Sequence, residues 1–464
     1  MDGGINMAIT TTVNLSQLEF EKRFDGELYN PHLLISLDKL KDTGYNLLPL
    51  GSICSIKSGT TPRDRDDSLM EGPVLFKTTD VRNNVMSAYD SFYHISHKIH
   101  NRMLVTKIQP YDILLNIVGA TLDVIGRSSF ILDDFQEANI TQAMVFLRVR
   151  KKILPGYLFA FLNTRYAQDQ IKRYARPTGQ YNLNLIEVGK ILIPQIQHDK
   201  QQEIEQLIYK SAKLQQESRR QFKLAEHMLN EKLLLKDFHP KDQKIYITNY
   251  TDVVNSCRMD SNHFREDFLI LTSFLCDNFQ CKTIGQLSKI NRRGLQPVYD
   301  RNGTVMVINS KHLSKTHIMY EQTERTSMEY YVNQKSANLQ NGDVLVYSTG
   351  AYVGLTNVFN SNVTAIASNH VNILRIKEEY GIDPNYLSLV MNSDIGKLQV
   401  QKYARGSAQL ELYPADLAKF LIPIIDKDVM HEIGELVRNS LISLNESKKL
   451  LAQAQRRIEE IIDQ

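Results

Sequence analysis

Apolar residues follow two different rhythms along this chain, and the change between them divides it. Two stretches, Asp199 to about Lys236 and Asp428 to Gln464, hold almost no Gly or Pro and are rich in Gln, Glu, Lys and Leu. In the first, Ile204, Leu207, Ser211, Leu214, Ser218, Ala225 and Met228 recur at three- and four-residue steps. In the second, Ile433, Val437, Leu441, Leu444, Leu451, Ala454, Ile458 and Ile461 do the same. This pattern predicts two long helices, and so narrow a stripe suits a helix–helix seam more than a globular core. Ordinary globular helices average ~11–12 residues, whereas these would span about 55 Å each. Neither seam has a better match elsewhere in the chain, so the two are predicted to pack on each other as an antiparallel coiled coil.

The remaining segments are short β-rich runs separated by turns, with one predicted helix apiece. Those helices start near Pro155 and Pro384, where proline fits a first helical turn, with Asp383 as an N-cap. Each segment therefore reads as an α+β domain.

The second half repeats the first at an offset of roughly 230 residues. Arg23-Phe24-Asp25 is answered by Arg258-Met259-Asp260, and Leu50-Gly51-Ser52-Ile53 by Ile284-Gly285-Gln286-Leu287. Gly59 and Pro62 correspond to Gly294 and Pro297, Asp112 to Asp343, and Gly119-Ala120 to Gly350-Ala351. Tyr174-Ala175-Arg176 matches Tyr403-Ala404-Arg405, and Ile193-Pro194 matches Ile422-Pro423. A collinear series of this length marks an internal duplication. The predicted organisation is a domain over 1–197, a spacer helix over 198–237, a second domain over 238–424 and a second spacer helix over 425–464.

Composition narrows the class. The chain has 464 residues, 42% hydrophobic and 23% charged, with a formal net charge of +3. Disorder is excluded as a default by that balance, and no apolar run reaches the ~18 residues of a membrane span. The first residues lack a signal-peptide pattern, so a cytoplasmic location is expected. Cys54, Cys257, Cys276 and Cys281 form no CxxC pair and are expected to be core thiols, with no metal site.

Catalytic motifs fail one by one. An adenine methyltransferase needs an Asn/Asp-Pro-Pro-aromatic loop, but Asp383-Pro384-Asn385-Tyr386 has Asn where the second Pro belongs. No GxxxxGK[ST] phosphate loop occurs. His431-Glu432-Ile433-Gly434-Glu435 starts like a zincin helix but lacks the second His. The chain is expected to be non-catalytic and to carry no cofactor.

At this point the arrangement resembles a known family, the specificity subunits of type I restriction-modification systems. The resemblance rests on two variable domains, each ending in a pattern like Arg176-Pro177-Thr178-Gly179-Gln180-Tyr181-Asn182-Leu183-Asn184, then Ile193-Pro194 and a long helix. It implies that each domain reads one half of a bipartite double-stranded DNA target, with the helices holding the domains at a set separation. Separate methyltransferase subunits, two in number, and restriction subunits would do the chemistry, using S-adenosylmethionine, and ATP with Mg for restriction. Asn182 and Asn184 have no counterpart in the second copy, which reads Arg405-Gly406-Ser407-Ala408-Gln409. The opening segment resembles a subgroup related to type IIB systems. A scaffold whose coil and domains bind proteins is the alternative from another class.

Base reading needs Arg or Lys for guanine and Asn or Gln for adenine, presented from loops. In the first copy the candidate DNA-binding residues are Lys57, Thr60, Thr61, Arg63, Arg65, Lys77, Thr78, Arg82 and Asn83, with Arg176, Gln180 and Asn182 further on. In the second they are Arg292, Arg293, Gln296, Asn309, Lys311 and His312, with Arg405 and Gln409. Because the Arg176/Gln180 and Arg405/Gln409 pairs recur in both copies, they are expected to hold phosphate or the fold instead of reading a base.

Overall fold

The short apolar runs between the long helices build the same sheet twice. A computed structural model describes residues 10–16, 18, 23–87, 91–236, 238, 247–406 and 409–464. Parts of the predicted domain openings, the end of the first predicted spacer and the Ser407-Ala408 step of the second repeat lie outside the described residues. The chain divides into two compact units, Met1–Glu217 with Ser443–Gln464, and Ser218–Ile442. The helices that matter are α1 (Pro155–Leu162), α2 (Arg165–Tyr174), α3 (His198–Lys232), α4 (Pro384–Asn392), α5 (Asp394–Tyr403) and α6 (Lys427–Asp463).

The first unit contains β1 (Cys54–Ser58), β2 (Val74–Phe76), β3 (Ile113–Asn116), β4 (Ser128–Ile131), β5 (Ala138–Ile140) and β6 (Met144–Val149). The order β1-β6-β3-β4 is antiparallel throughout, and Asn84–Met86 adds a parallel edge to β4. Strand β2 pairs in parallel with β5, placing Phe76 opposite Ile140. Behind the main sheet, Tyr157, Leu158, Phe159 and Phe161 of α1 share a buried core with Ile113, Phe130 and Leu147. These strands read as continuous apolar runs because both faces are covered.

The second unit repeats the plan with β7 (Ser288–Arg293), β8 (Val305–Ile308), β9 (Val344–Tyr347), β10 (Thr356–Val358), β11 (Ala365–Ala367) and β12 (Val371–Ile376). The order is β7-β12-β9-β10, with β8 parallel to β11 and antiparallel to Glu324–Thr326. The Asp383 side chain caps α4 by accepting from the Asn385 amide at 2.8 Å. One helix per domain is too few: α1 is followed by α2 and α4 by α5, and Pro31–Asp42 and Glu266–Asn278 form further helices.

The same hydrogen bonds hold both units. Arg148 clamps buried Asp112 through two bonds of 2.8 and 2.7 Å, and Arg375 clamps Asp343 at 2.7 and 2.8 Å. The Tyr157 hydroxyl donates to the Pro194 carbonyl at 2.7 Å, as Tyr386 does to Pro423 at 2.9 Å. Gln170 bonds both backbone groups of Leu192, and Gln399 both of Leu421. Each is a buried polar group whose loss would leave a partner unsatisfied, so the duplicated residues are those that the fold itself requires.

Both long helices form, and each contributes residues to both units. In the first unit Ser211 meets Ser447 and Glu203 meets Arg457, so the pairing is antiparallel. In the second, Ser218 meets Ser440 at 3.1 Å. The buried stripe is wider than the predicted seam. Ile208, Ala212 and Leu229 of α3, and Ser440, Ser447, Leu450 and Ile462 of α6, are buried, whereas Leu207, Leu214, Leu441 and Leu444 are half-buried. Within each unit, the part of each helix found there is covered on one side by the other helix and on the next by that unit's core, which draws in a third row of positions. The thiols differ from expectation: Cys54 is buried, but Cys257 and Cys276 are exposed and Cys281 half-buried.

Candidate nucleic-acid interface

The repeated arginines belong to the frame. Arg176 donates to Glu187 through Nε at 2.8 Å, and the buried Arg23 reaches the same carboxylate at 3.1 Å. The second oxygen of Glu187 accepts the Asn184 amide at 3.0 Å, completing a capping box at the start of Leu185–Lys190. In the second unit Arg405 grips Asp416 with contacts of 2.8 and 2.7 Å, and Arg258 reaches the Tyr403 carbonyl as Arg23 reaches that of Tyr174. Burial pushes the Asp416 carboxyl up, but hydrogen bonds from Arg405 and Lys419 outweigh it and hold the group below its ordinary value. Arg176 and Arg405 are thus each tied to a buried carboxylate of their own unit while about half of the side chain stays exposed. Gln180 and Asn182 stand exposed on a hairpin that turns at Gly179, and Gln409 is also exposed.

Loop entry is tight in both units. Gly59 follows β1, and a Cβ there would lie 1.9 Å from the Ile140 carbonyl oxygen of β5. Gly294 follows β7 with the equivalent distance, 2.1 Å to the oxygen of Ala367 in β11. Only a residue without Cβ lets the loop start so close to the parallel strand pair.

Beyond Gly59 the loop alternates charges, and its carboxylates are tied back. Asp64 pairs with Arg102 at 2.6 Å, Asp66 accepts from the Ser68 amide and hydroxyl, and Asp67 accepts from the Tyr93 hydroxyl. The Arg102 hydrogen bond holds the Asp64 carboxyl below its usual range. Arg63, by contrast, has no hydrogen bond or ion pair among the described residues, and Lys57 and Thr60 are exposed. The Thr61 hydroxyl accepts from the Gln142 amide at 3.3 Å. Arg65 and Lys77 both lean on Tyr93, with the Lys77 ammonium 3.4 Å from the ring centre. Thr78 gives its carbonyl to Asn116, Arg82 bonds the Thr79 carbonyl, and Asn83 sits at φ 57° with its side chain capping the Ser128 amide. Asn tolerates that left-handed conformation, which explains its presence without DNA.

In the second unit Arg292 and Arg293 lie side by side on β7. Arg293 donates to Glu411 at 2.7 Å and faces the Tyr413 ring at 4.8 Å. Among the described residues, Arg292 Nε and Arg293 Nε and Nη2 are enclosed without an acceptor. Gln296 is exposed and gives its carbonyl to Tyr330. Asn309 caps the turn Ser310–His312, and Lys311 pairs with Glu324. His312 is buried, with Nδ1 accepting the Asn309 amide at 2.9 Å and Nε2 facing Glu324 at 3.2 Å. Burial pulls its pKa down and so favours the neutral ring. Sequence reasoning passed over Tyr93, Glu411 and Tyr413, which orient these cations from distant parts of the chain. Among the described residues no group of three metal-ligating side chains could hold an ion, and no helix is long and apolar enough to cross a membrane.

One frame thus occurs in both units and carries a different set of cations in each. Residues 277–451 match the family model described as the type I restriction modification DNA specificity domain. That match covers the second unit's domain, and the first unit repeats its Asp–Arg clamp, its Tyr–Pro bond and its Gln–Leu bonds. Among solved structures the chain is similar to the type I restriction-modification system S subunit from M. genitalium, at 10% identity and a TM-score of 0.44, over 90% of this chain and 96% of that one. It is also similar to the HsdS subunit from Thermoanaerobacter tengcongensis, at 13% identity and a TM-score of 0.28, over 90% and 96% of the two chains. No curated protein matches it by sequence.

Proposed function

We propose that each unit reads one half of a bipartite double-stranded DNA target, and that two methyltransferase subunits and a restriction subunit supply the chemistry. The observation that carries this reading is the contrast between a duplicated frame and loops that differ. The frame repeats from Arg148–Asp112 to Arg375–Asp343, whereas the cations set on it are Arg63, Arg65 and Lys77 in the loops of one unit, and Arg292 and Arg293 at the end of β7 with Lys311 in a turn of the other. A shared frame suits the repeating phosphate backbone, and divergent loops suit half-sites of unlike sequence. The chain itself acts without a cofactor on this reading. S-adenosylmethionine, and ATP with Mg, would be bound by the partners, and the complex would work in the cytoplasm.

A salt titration tests it. Binding of the assembled complex to duplex DNA should fall linearly on a log–log plot, with a slope near −0.9 per phosphate neutralised. Salt-independent binding, or capture of protein in preference to DNA, would support the scaffold reading instead.

A further inference from the structure

We infer that Tyr93 is the specificity-positioning residue of the first unit, holding Lys77 to read a guanine in its half-site; the inference rests on the DNA-reading function proposed above. Lys77 is fixed at both ends. Its backbone amide donates to Asp80 at 2.7 Å, closing a turn directly after β2, and its ammonium sits 3.4 Å from the Tyr93 ring centre. The ring is fixed in turn. The Tyr93 carbonyl accepts from the Leu75 amide at 2.8 Å, the ring packs against Leu75, Ile95, Ile99 and Met103, and the hydroxyl donates to Asp67. A flexible four-carbon side chain thus becomes a preorganised donor, which lowers the ordering cost of binding.

The nature of the post matters as much as its rigidity. A tyrosine ring is neutral, so it orients the ammonium by cation–π attraction and leaves its charge and donors available. The second unit shows the contrast at the corresponding place. There β8 stands for β2, the segment paired with it presents Glu324 where the first unit has Tyr93, and Asn309 takes the place of Lys77; the Glu324 carboxylate pairs with Lys311, two residues further on, and faces His312. The cation of that turn is neutralised by its neighbour, whereas among the described residues no carboxylate pairs with the Lys77 ammonium. Around Lys77, Asp64, Asp66 and Asp67 of the loop are engaged by Arg102, Ser68 and Tyr93 itself, and Asp80 accepts the Lys77 backbone amide. A Lys donor whose ammonium pairs with no carboxylate among the described residues is matched by the paired N7 and O6 acceptors that guanine presents in the major groove.

The test is the map of methylated adenines made by the full chain in complex with its methyltransferase. Wild type should give a bipartite motif with a guanine in one half. Tyr93→Leu removes the ring and keeps every charge, so methylation at sites with that guanine replaced should rise about tenfold relative to the intact motif, with the other half unchanged. Tyr93→Phe keeps the ring and should restore discrimination, which loss of packing alone would not predict. If Tyr93→Leu fails to fold, Lys77→Met serves in its place and should relax the same position. A motif unchanged in the variant that folds overturns the role of Tyr93 and Lys77. A wild-type complex that yields no bipartite motif overturns the DNA-reading function itself.

Discussion

Replacing Glu187 by Ala should destabilise the first unit by about 3 kcal/mol, the sum of three unequal losses. The carboxylate is only 4% exposed and accepts from Arg23, Arg176 and the Asn184 amide. Arg176 is about half exposed, so that pair contributes ~0–1 kcal/mol. Loss of the capping box costs ~1 kcal/mol. Arg23 dominates, because it is buried and stranding a buried charge costs ~3–5 kcal/mol when no partner remains. Its two bonds to Asp25, at 2.7 and 2.8 Å, and one to the Tyr174 carbonyl survive, which reduces that figure by roughly half. For a unit of this size ~3 kcal/mol corresponds to a fall of about 6–12 °C in melting temperature. Calorimetry of the full chain should show the first unit's transition moving while the second's stays. Glu187→Gln, whose amide oxygen can still accept the Asn184 amide, should lose less. A shift below ~2 °C would refute the claim that this carboxylate organises the buried arginine.

Gly59→Ala forces a Cβ to 1.9 Å from the Ile140 oxygen, so it should cost the upper end of the ~1–3 kcal/mol typical of overpacking, and Gly294→Ala should do the same to the second unit. Urea unfolding of each variant checks whether only its own unit is affected. Asp416 is held below its unfolded value of 3.8, so its contribution to stability is full above pH 3.8 and fades as pH falls through the lower folded value. Asp416→Asn should therefore flatten the acid limb of the second unit's unfolding below pH 3.8, as followed by circular dichroism. Arg63→Ala should relax one position of one half-site by ~1–3 kcal/mol if the arginine reads guanine, whereas equal loss on every DNA sequence would assign it to phosphate. Adding four residues to α3 near Gln215 and four to α6 between Ser440 and Ser447 keeps the serine pairs in register. The half-sites should then move apart by about two base pairs, or ~6 Å, and an unchanged gap would show that the helices do not set spacing.

The duplication was legible in sequence because the residues that repeat are those with a bonded job in both units. Asp112 and Asp343 recur because each closes a buried arginine clamp, and Tyr174-Ala175-Arg176 recurs because Arg176 must find a carboxylate. That carboxylate was within reach of the sequence: Glu187 and Asp416 each follow their arginine by 11 residues. Helix α2 was also within reach, since Tyr166, Ala167, Gln170, Ile171 and Tyr174 form one buried face. Tyr93 was not. It stands 16 residues from Lys77, its counterpart segment offers a glutamate, and only the pairing of its strand edge with Leu75 brings ring and ammonium together. The exact buried rows of α3 and α6 were equally hidden, because the pattern along one helix does not say how many neighbours it has.

Division of the target between the units is the central claim, and one hybrid tests it most directly. Residues 50–190 are exchanged for the same region of a related specificity subunit, and methylated adenines are mapped in cells carrying the hybrid and its methyltransferase. The account predicts a motif in which one half changes and the other half is kept base for base. A motif altered in both halves, or in neither, would contradict it.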